Sequence, residues 1–408
     1  MFVTLKYVRT LSAGSCASWR LHGRRLCTNQ HFKKQASASV RPRTKEMVVR
    51  ELQEGSKLMF GGVAIVSALL ASGGFVIETV KSLNPLKPPG VMLQLRKPDG
   101  ELMDVHVQRR GSGDVTVVLD GGVGETSFDW DKVATEVATF AVVLSVDRPG
   151  LGFSQPGALP RTSMQIVREY KQLLEQLNVT GNVVLVGHGF GGYNMRALAK
   201  ELEMGAGNSL KCRGLVLVDA LQENVRSELE SVSDAVRKLL TDMDRNGEMV
   251  LRLSRIGFLR LINVVQHSKL VAKYSAAALP YVEYFSPSPA HREGVLRENQ
   301  AIPETEQHFR DSMSCVTPFE FPCVVLSHGK ADLFDSMKMQ AGVTQHVVEE
   351  LEHKWQDAQT KLANTISTRS VHRVITEAGH DIHHERPEEV AKAVRAIVDE
   401  IHGGVGGN

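Results

Sequence analysis

Five cysteines in 408 residues are too few and too unevenly spaced for a disulfide framework. Cys16 and Cys27 fall in the first 45 residues, which leaves only Cys212, Cys315 and Cys323 for the remainder. The same first 45 residues contain no Asp or Glu at all, against ten Lys or Arg. Past residue 45, 48 less 10 leaves 38 basic residues facing 46 acidic ones, a net −8. No basic tract there suits nucleic acid, so a nucleic-acid partner is not expected. Aromatics are sparse, at 6%. Outside one stretch, Leu58 to Ile77, no apolar run is long enough to span a bilayer.

A basic, acid-free leader rich in Ser and Ala over 1–45 reads as a mitochondrial presequence, with a disordered basic tail as the alternative. Leu58 to Ile77 carries twenty residues without a charge, roughly 30 Å as a helix, and is expected to cross a membrane. The expected location is thus a single-pass membrane protein of the mitochondrion, or alternatively of the endoplasmic reticulum and secretory system. Gly61, Gly62, Gly73 and Gly74 would let such helices approach closely, which permits a homo-oligomer. Residues 78–90, with Pro85, Pro88 and Pro89, read as a stiff linker, and 91–402 as the main domain.

Within that domain, Val183 to Gly192 reads strand, sharp turn, helix. Three readings of the turn stay open on the residues alone. It fits Gly-x-Ser-x-Gly, the nucleophile elbow, except that Gly189 stands where serine belongs. Gly187-x-Gly189-x-x-Gly192 also satisfies a dinucleotide fingerprint, although the acid that should follow, Asp219, lies 32 positions after Gly187 instead of the usual ~20. The third reading is a ligand-free glycine turn.

Neighbouring windows favour the first. Val115 to Asp120 is an apolar run followed by Gly121-Gly122-Val123-Gly124-Glu125. A phosphate loop is rejected there, because Glu125 takes the lysine slot and a carboxylate repels phosphate. Val142 to Asp147 leads into Arg148-Pro149-Gly150-Leu151-Gly152-Phe153-Ser154, with Ser154 read as a turn residue. Cys323 to Ser327 precedes Gly329-Lys330-Ala331-Asp332, and Val374 to Thr376 precedes Gly379-His380, with Pro387-Glu388 beyond. Taken in order, these motifs resemble the α/β-hydrolase superfamily, in the branch that processes small esters, lipids and epoxides.

That resemblance implies an α/β fold: an eight-stranded, mostly parallel sheet, with a helical cap at about 221–319 between strands six and seven. It also implies site roles. His380 is the expected base and Asp332 the expected acid, with Asp219 as the substitute and Asp335 less favoured. Gly122 and Phe190 are the expected oxyanion amides, and Gly189 is a nucleophile position without a nucleophile. His188, Phe190 and Tyr193 are expected to point away from the histidine. Trp130 reads equally well as a core aromatic, and Leu259, Leu261, Ile262 and Val265 are expected to pack beneath the cap.

His380, His383 and His384 suggest metal ligation, but no carboxylate or cysteine accompanies them at metal spacing, so neither a metal nor a cofactor is expected. Four functions remain. One is a membrane-tethered, non-classical or inactive hydrolase that binds a small apolar or ester-like ligand. The second is a hydrolase or lyase using His380 and Asp332 as a general base without an acyl-enzyme. The third is an active hydrolase whose nucleophile lies elsewhere or whose Gly189 is a sequence variant. The fourth is a dinucleotide-binding protein.

Overall fold

The computed structural model describes residues 72–405 apart from 82, 206–208, 267–268, 314–316 and 340–341. The basic leader and most of the expected membrane span, residues 58–71, lie outside the described residues. Among the described residues, no helix is long and apolar enough to cross a membrane.

Eight strands form one sheet: β1 (Val91–Arg96), β2 (Leu102–Arg110), β3 (Val115–Asp120), β4 (Val142–Val146), β5 (Gly181–His188), β6 (Leu210–Val218), β7 (Cys323–His328) and β8 (Ser370–Ile375). Their spatial order is β1-β2-β4-β3-β5-β6-β7-β8. β2 runs antiparallel to both β1 and β4, and every pairing from β4 through β8 is parallel. The expected eight-stranded, mostly parallel sheet is therefore present.

Parallel strands require helical crossovers, which bury both faces and favour continuous apolar runs over alternation with polar residues. Val115-Thr116-Val117-Val118-Leu119-Asp120 is buried along its whole length. The period of two decides which face each residue serves. Val117 and Leu119, Val184 and Val186, Val216 and Val218, and Val324 and Leu326 pack with the helices Asp131–Val137 and Pro387–Val405. Val118, Val183 and Leu185, Leu215 and Leu217, and Val325 pack on the other side with Ser163–Gln176, Gly191–Met204 and Gln345–Ile366.

Register brings the ends of the central strands together. Asp120 pairs with Gly187, Gly187 with Leu217, and Val218 with Leu326. Residues just past these positions share the carboxyl edge of the sheet, the usual location of ligand sites in open α/β folds.

Between β6 and β7 the chain is helical, from Val225–Glu230 to Pro289–His308. Leu259, Val265, Val282 and Phe285 form a separate apolar cluster that closes over Phe128, with Phe153 and Ile262 against it. Leu261 is half-buried. The stretch 72–81 is helical and lies on this insertion. Glu78 pairs with Arg260 at 2.6 Å, and Gly74 sits so close to the Ile256 carbonyl that a Cβ there would lie 2.3 Å from it. The last residues of the expected span thus fold onto the domain. The proline-rich stretch also docks, since the Pro89 carbonyl lies 2.5 Å from His106 Nε2.

Candidate functional site

The turn after β5 places Gly189 at φ +51°, in the left-handed region, ahead of the helix Gly191–Met204. Its glycines serve different ends. A Cβ at Gly187 would lie 2.4 Å from the Gly191 carbonyl oxygen, and one at Gly191 would lie 2.3 Å from the Asp120 carbonyl oxygen. Close backbone packing accounts for both. At Gly189 the nearest atoms to an added Cβ are Gly122 Cα at 3.4 Å and His380 Nε2 at 3.9 Å. A side chain fits there and would face the imidazole, as an elbow nucleophile does.

His380 follows β8 on the loop before Ile382–Glu385. Its Nδ1 lies 2.5 Å from Asp219 Oδ2. The expectation that Asp332 is its partner is thereby corrected. Asp332 is exposed, with its carboxylate beside Gly379. Asp219, at φ +43°, ends β6 at full burial. The acid comes from the end of β6 because the loop after β7 carries Asp332 out to the surface. Asp335 pairs with Lys338 at 2.6 Å.

Asp219 is shared. His328 Nδ1 lies 2.7 Å from the same Oδ2, His328 Nε2 lies 3.0 Å from Glu352 Oε2, and Trp355 Nε1 donates to Asp219 Oδ1 at 3.0 Å. Burial opposes charge on both Asp219 and His328, yet their mutual attraction wins. The Asp219 carboxyl is held well below its ordinary range, and the His328 imidazole is raised to about 10. His380 moves the other way. Burial and the neighbouring His188 lower it, against the pull of Asp219. Its Nε2 therefore faces Gly189 as a neutral acceptor near pH 7.

The first oxyanion amide is already engaged. Gly122 N donates to Glu125 Oε2 at 2.7 Å, and the same oxygen lies 2.9 Å from His188 Nδ1. Phe190 sits at the foot of the helix Gly191–Met204, buried, where the motif placed it. His188 does not point away as expected. Its ring lies 4.7 Å from that of His380, and its Nε2 is 3.2 Å from the His380 carbonyl oxygen. Burial opposes charge on His188, but Glu125 raises its pKa. Tyr193 is buried against Phe309.

Arg148 shows how the Gly121–Gly124 loop is held. Its guanidinium is buried and donates to Asp120 Oδ1 at 2.6 Å, Gly121 O at 2.7 Å, Gly122 O at 2.6 Å and Glu298 Oε1 at 2.7 Å. Glu298 belongs to the insertion and also accepts from Gly124 N at 3.0 Å. Sequence reasoning credited the Asp-Arg-Pro-Gly run with turn geometry alone and missed its arginine. Ser154 is the turn residue expected, its Oγ donating to the Asp147 carbonyl at 2.5 Å.

The dinucleotide reading loses its acid, because Asp219 is spent on two imidazoles and an indole.

Comparison with known proteins agrees with this fold. A family model described as "Alpha/beta hydrolase family" matches residues 117–393. An uncharacterized Bacillus subtilis protein, YqjL, is 32% identical over 87 residues, 21% of this chain and 34% of the relative. An uncharacterized Schizosaccharomyces pombe protein, C23C11.06c, is 26% identical over 237 residues, 58% of this chain and 37% of the relative. The chain thus spans about a third of the length of these curated relatives. Among solved structures, ALR0039 from Nostoc sp PCC 7120 superposes with TM-score 0.53 at 15% identity, covering 76% of this chain and 98% of that one. The epoxide hydrolase CorEH gives TM-score 0.51 at 14% identity, covering 76% and 99%. At these identities the likeness speaks to fold alone.

Proposed function

The chain belongs to the alpha/beta hydrolase family, and on that premise we propose that it is a member without serine-esterase turnover, which binds a small apolar or ester-like ligand at the carboxyl edge of the sheet. The observation that carries this reading is the Glu125 carboxylate on the Gly122 amide at 2.7 Å. An acyl-transfer site must offer that amide to a developing oxyanion. Here it already holds a negative oxygen, and a second would be repelled. Gly189 adds the other deficit, since an acyl-enzyme needs an oxygen or sulfur within reach of the base.

A second reading has its own support. With Nδ1 held by Asp219, the neutral Nε2 of His380 is aimed at the space above Gly189, the geometry of a general base acting on water or an acidic C–H.

Incubation with p-nitrophenyl butyrate separates the two. The binding reading expects a raised melting temperature without nitrophenolate release beyond the blank. Release that disappears in His380→Ala would replace it with the base reading. Labelling of the wild-type chain by a fluorophosphonate would overturn both.

The membrane assignment belongs to the same proposal. The apolar stretch that begins at Leu58 is the proposed anchor, and exposed Phe75, Val76 and Val80 carry its apolar surface to where the chain docks on the insertion. Alkaline carbonate extraction of membranes should leave the full chain in the pellet; its release into the supernatant would refute anchoring. Import into isolated mitochondria, set against insertion into microsomes, decides which membrane.

A further inference from the structure

We propose that Glu125, His188 and His383 form a binding site for one divalent transition-metal ion of the zinc class. The expectation of no metal rested on the lack of a carboxylate near the histidines along the chain. The fold supplies one from another segment. Glu125 comes from the loop after β3, His188 ends β5 and His383 lies in Ile382–Glu385. Their candidate donor atoms all lie within 4.8 Å of one another, and all three side chains are buried.

The separations suit an ion as well as a proton. Glu125 Oε2 lies 2.9 Å from His188 Nδ1 and 3.6 Å from His383 Nε2. Ligand bonds of about 2.0–2.2 Å at tetrahedral angles put donor atoms about 3.3 Å apart, between those two values. Both nitrogens of His188 face acceptors, Glu125 on one side and the His380 carbonyl on the other. A proton shared with Glu125 answers this arrangement for His188 alone.

His383 is the independent observation. It is fully buried, and neither of its ring nitrogens has a hydrogen-bond partner among the described residues. Its neighbours do not explain it. His384 is occupied with Asp129 and the Lys273 carbonyl, and Trp130 only packs its ring at 4.8 Å. A metal between His383 Nε2, His188 Nδ1 and Glu125 Oε2 uses the orphaned nitrogen. It leaves the His188 Nε2–H donating to the His380 carbonyl, the outer contact that orients a ligating imidazole. Two imidazoles and a carboxylate suit zinc, cobalt or nickel more than calcium or magnesium. Gly122 leaves room beside the donors, since a Cβ there would sit 3.2 Å from His188 Nδ1. Lys273 acts electrostatically on His383, and its ion pair with Asp381 offsets its charge.

The inference shares Glu125 with the function proposed above but does not depend on its outcome, because a chain that turns over nothing can still hold the ion. Its test is metal content and affinity. The full chain is stripped with a chelator, dialysed, and titrated with Zn²⁺ by calorimetry and with Co²⁺ by visible absorption. Expected are one ion per chain, a tetrahedral cobalt spectrum, and an affinity reduced about 100-fold or more in Glu125→Gln and in His383→Gln. Either variant that keeps its circular dichroism decides the matter. Asp219→Asn should bind as wild type does. Absence of stoichiometric uptake overturns the site. So does unchanged affinity in either folded ligand variant, or loss in Asp219→Asn alone, which would move the ion to the Asp219–His328–His380 cluster.

Discussion

Asp219 and His380, 161 residues apart in the chain, meet at 2.5 Å between Oδ2 and Nδ1. The contact fixes the imidazole tautomer and turns Nε2 towards Gly189. In Asp219→Asn the downfield NMR proton of His380 Nδ1 should vanish, while Asp332→Asn should leave it in place. In a Gly189→Ser background, Asp219→Asn should slow fluorophosphonate labelling about 10³–10⁴-fold, the order expected when a base is left in the wrong tautomer.

Gly189→Ser alone should fold, since a Cβ at 189 meets nothing closer than 3.4 Å. The left-handed backbone should lower stability by about 1–3 kcal/mol, read from thermal unfolding. Labelling of this variant should be slow, because Glu125 still holds the Gly122 amide. Adding Glu125→Ala should speed it about 100-fold or more, the worth of one oxyanion donor. Equal rates in the single and double variants would show that the carboxylate obstructs nothing.

Arg148 joins Asp120, the Gly121 and Gly122 carbonyls and Glu298 in one buried network. Arg148→Met leaves two carboxylates without their cation and should cost about 3–5 kcal/mol in urea unfolding. Glu298→Gln keeps a hydrogen-bonding side chain and should cost less. An Arg148→Met chain with an unshifted urea midpoint would contradict the network's role.

Glu306 is buried, its Oε1 has no hydrogen-bond partner among the described residues, and burial raises its pKa to about 7. The folded chain therefore holds a proton that the unfolded chain releases near 4.5. The stability this gives is complete below pH 4.5, declines as pH rises through 7, and is absent above. Glu306→Gln should match wild type at pH 4.5 and exceed it at pH 8 by about 2–3 kcal/mol. A thermal-unfolding difference that does not change between those two pH values would refute this.

The parallel core was legible because strands buried on both faces write themselves as unbroken apolar runs, as in Val183 to Val186 and Leu215 to Val218. Gly187, Gly189 and His380 were legible because tight turns at the sheet's edge admit few residue types. The acid was not. Asp219 and Asp332 each follow a buried strand, and a chain position carries no information about which loop folds inward.

By itself, then, the sequence determined the strands, the turn that holds Gly189 and the histidine that faces it, since these depend on periodicity and local backbone freedom. Only the tertiary structure decided that Asp219 serves His380 and His328 together, that Glu125 lies across the Gly122 amide, that Arg148 ties that loop to the insertion, and that His383 is buried beside His188. Each of these joins segments far apart in the chain, and such contacts are selected by burial and by the pairing of charge inside a low-dielectric core.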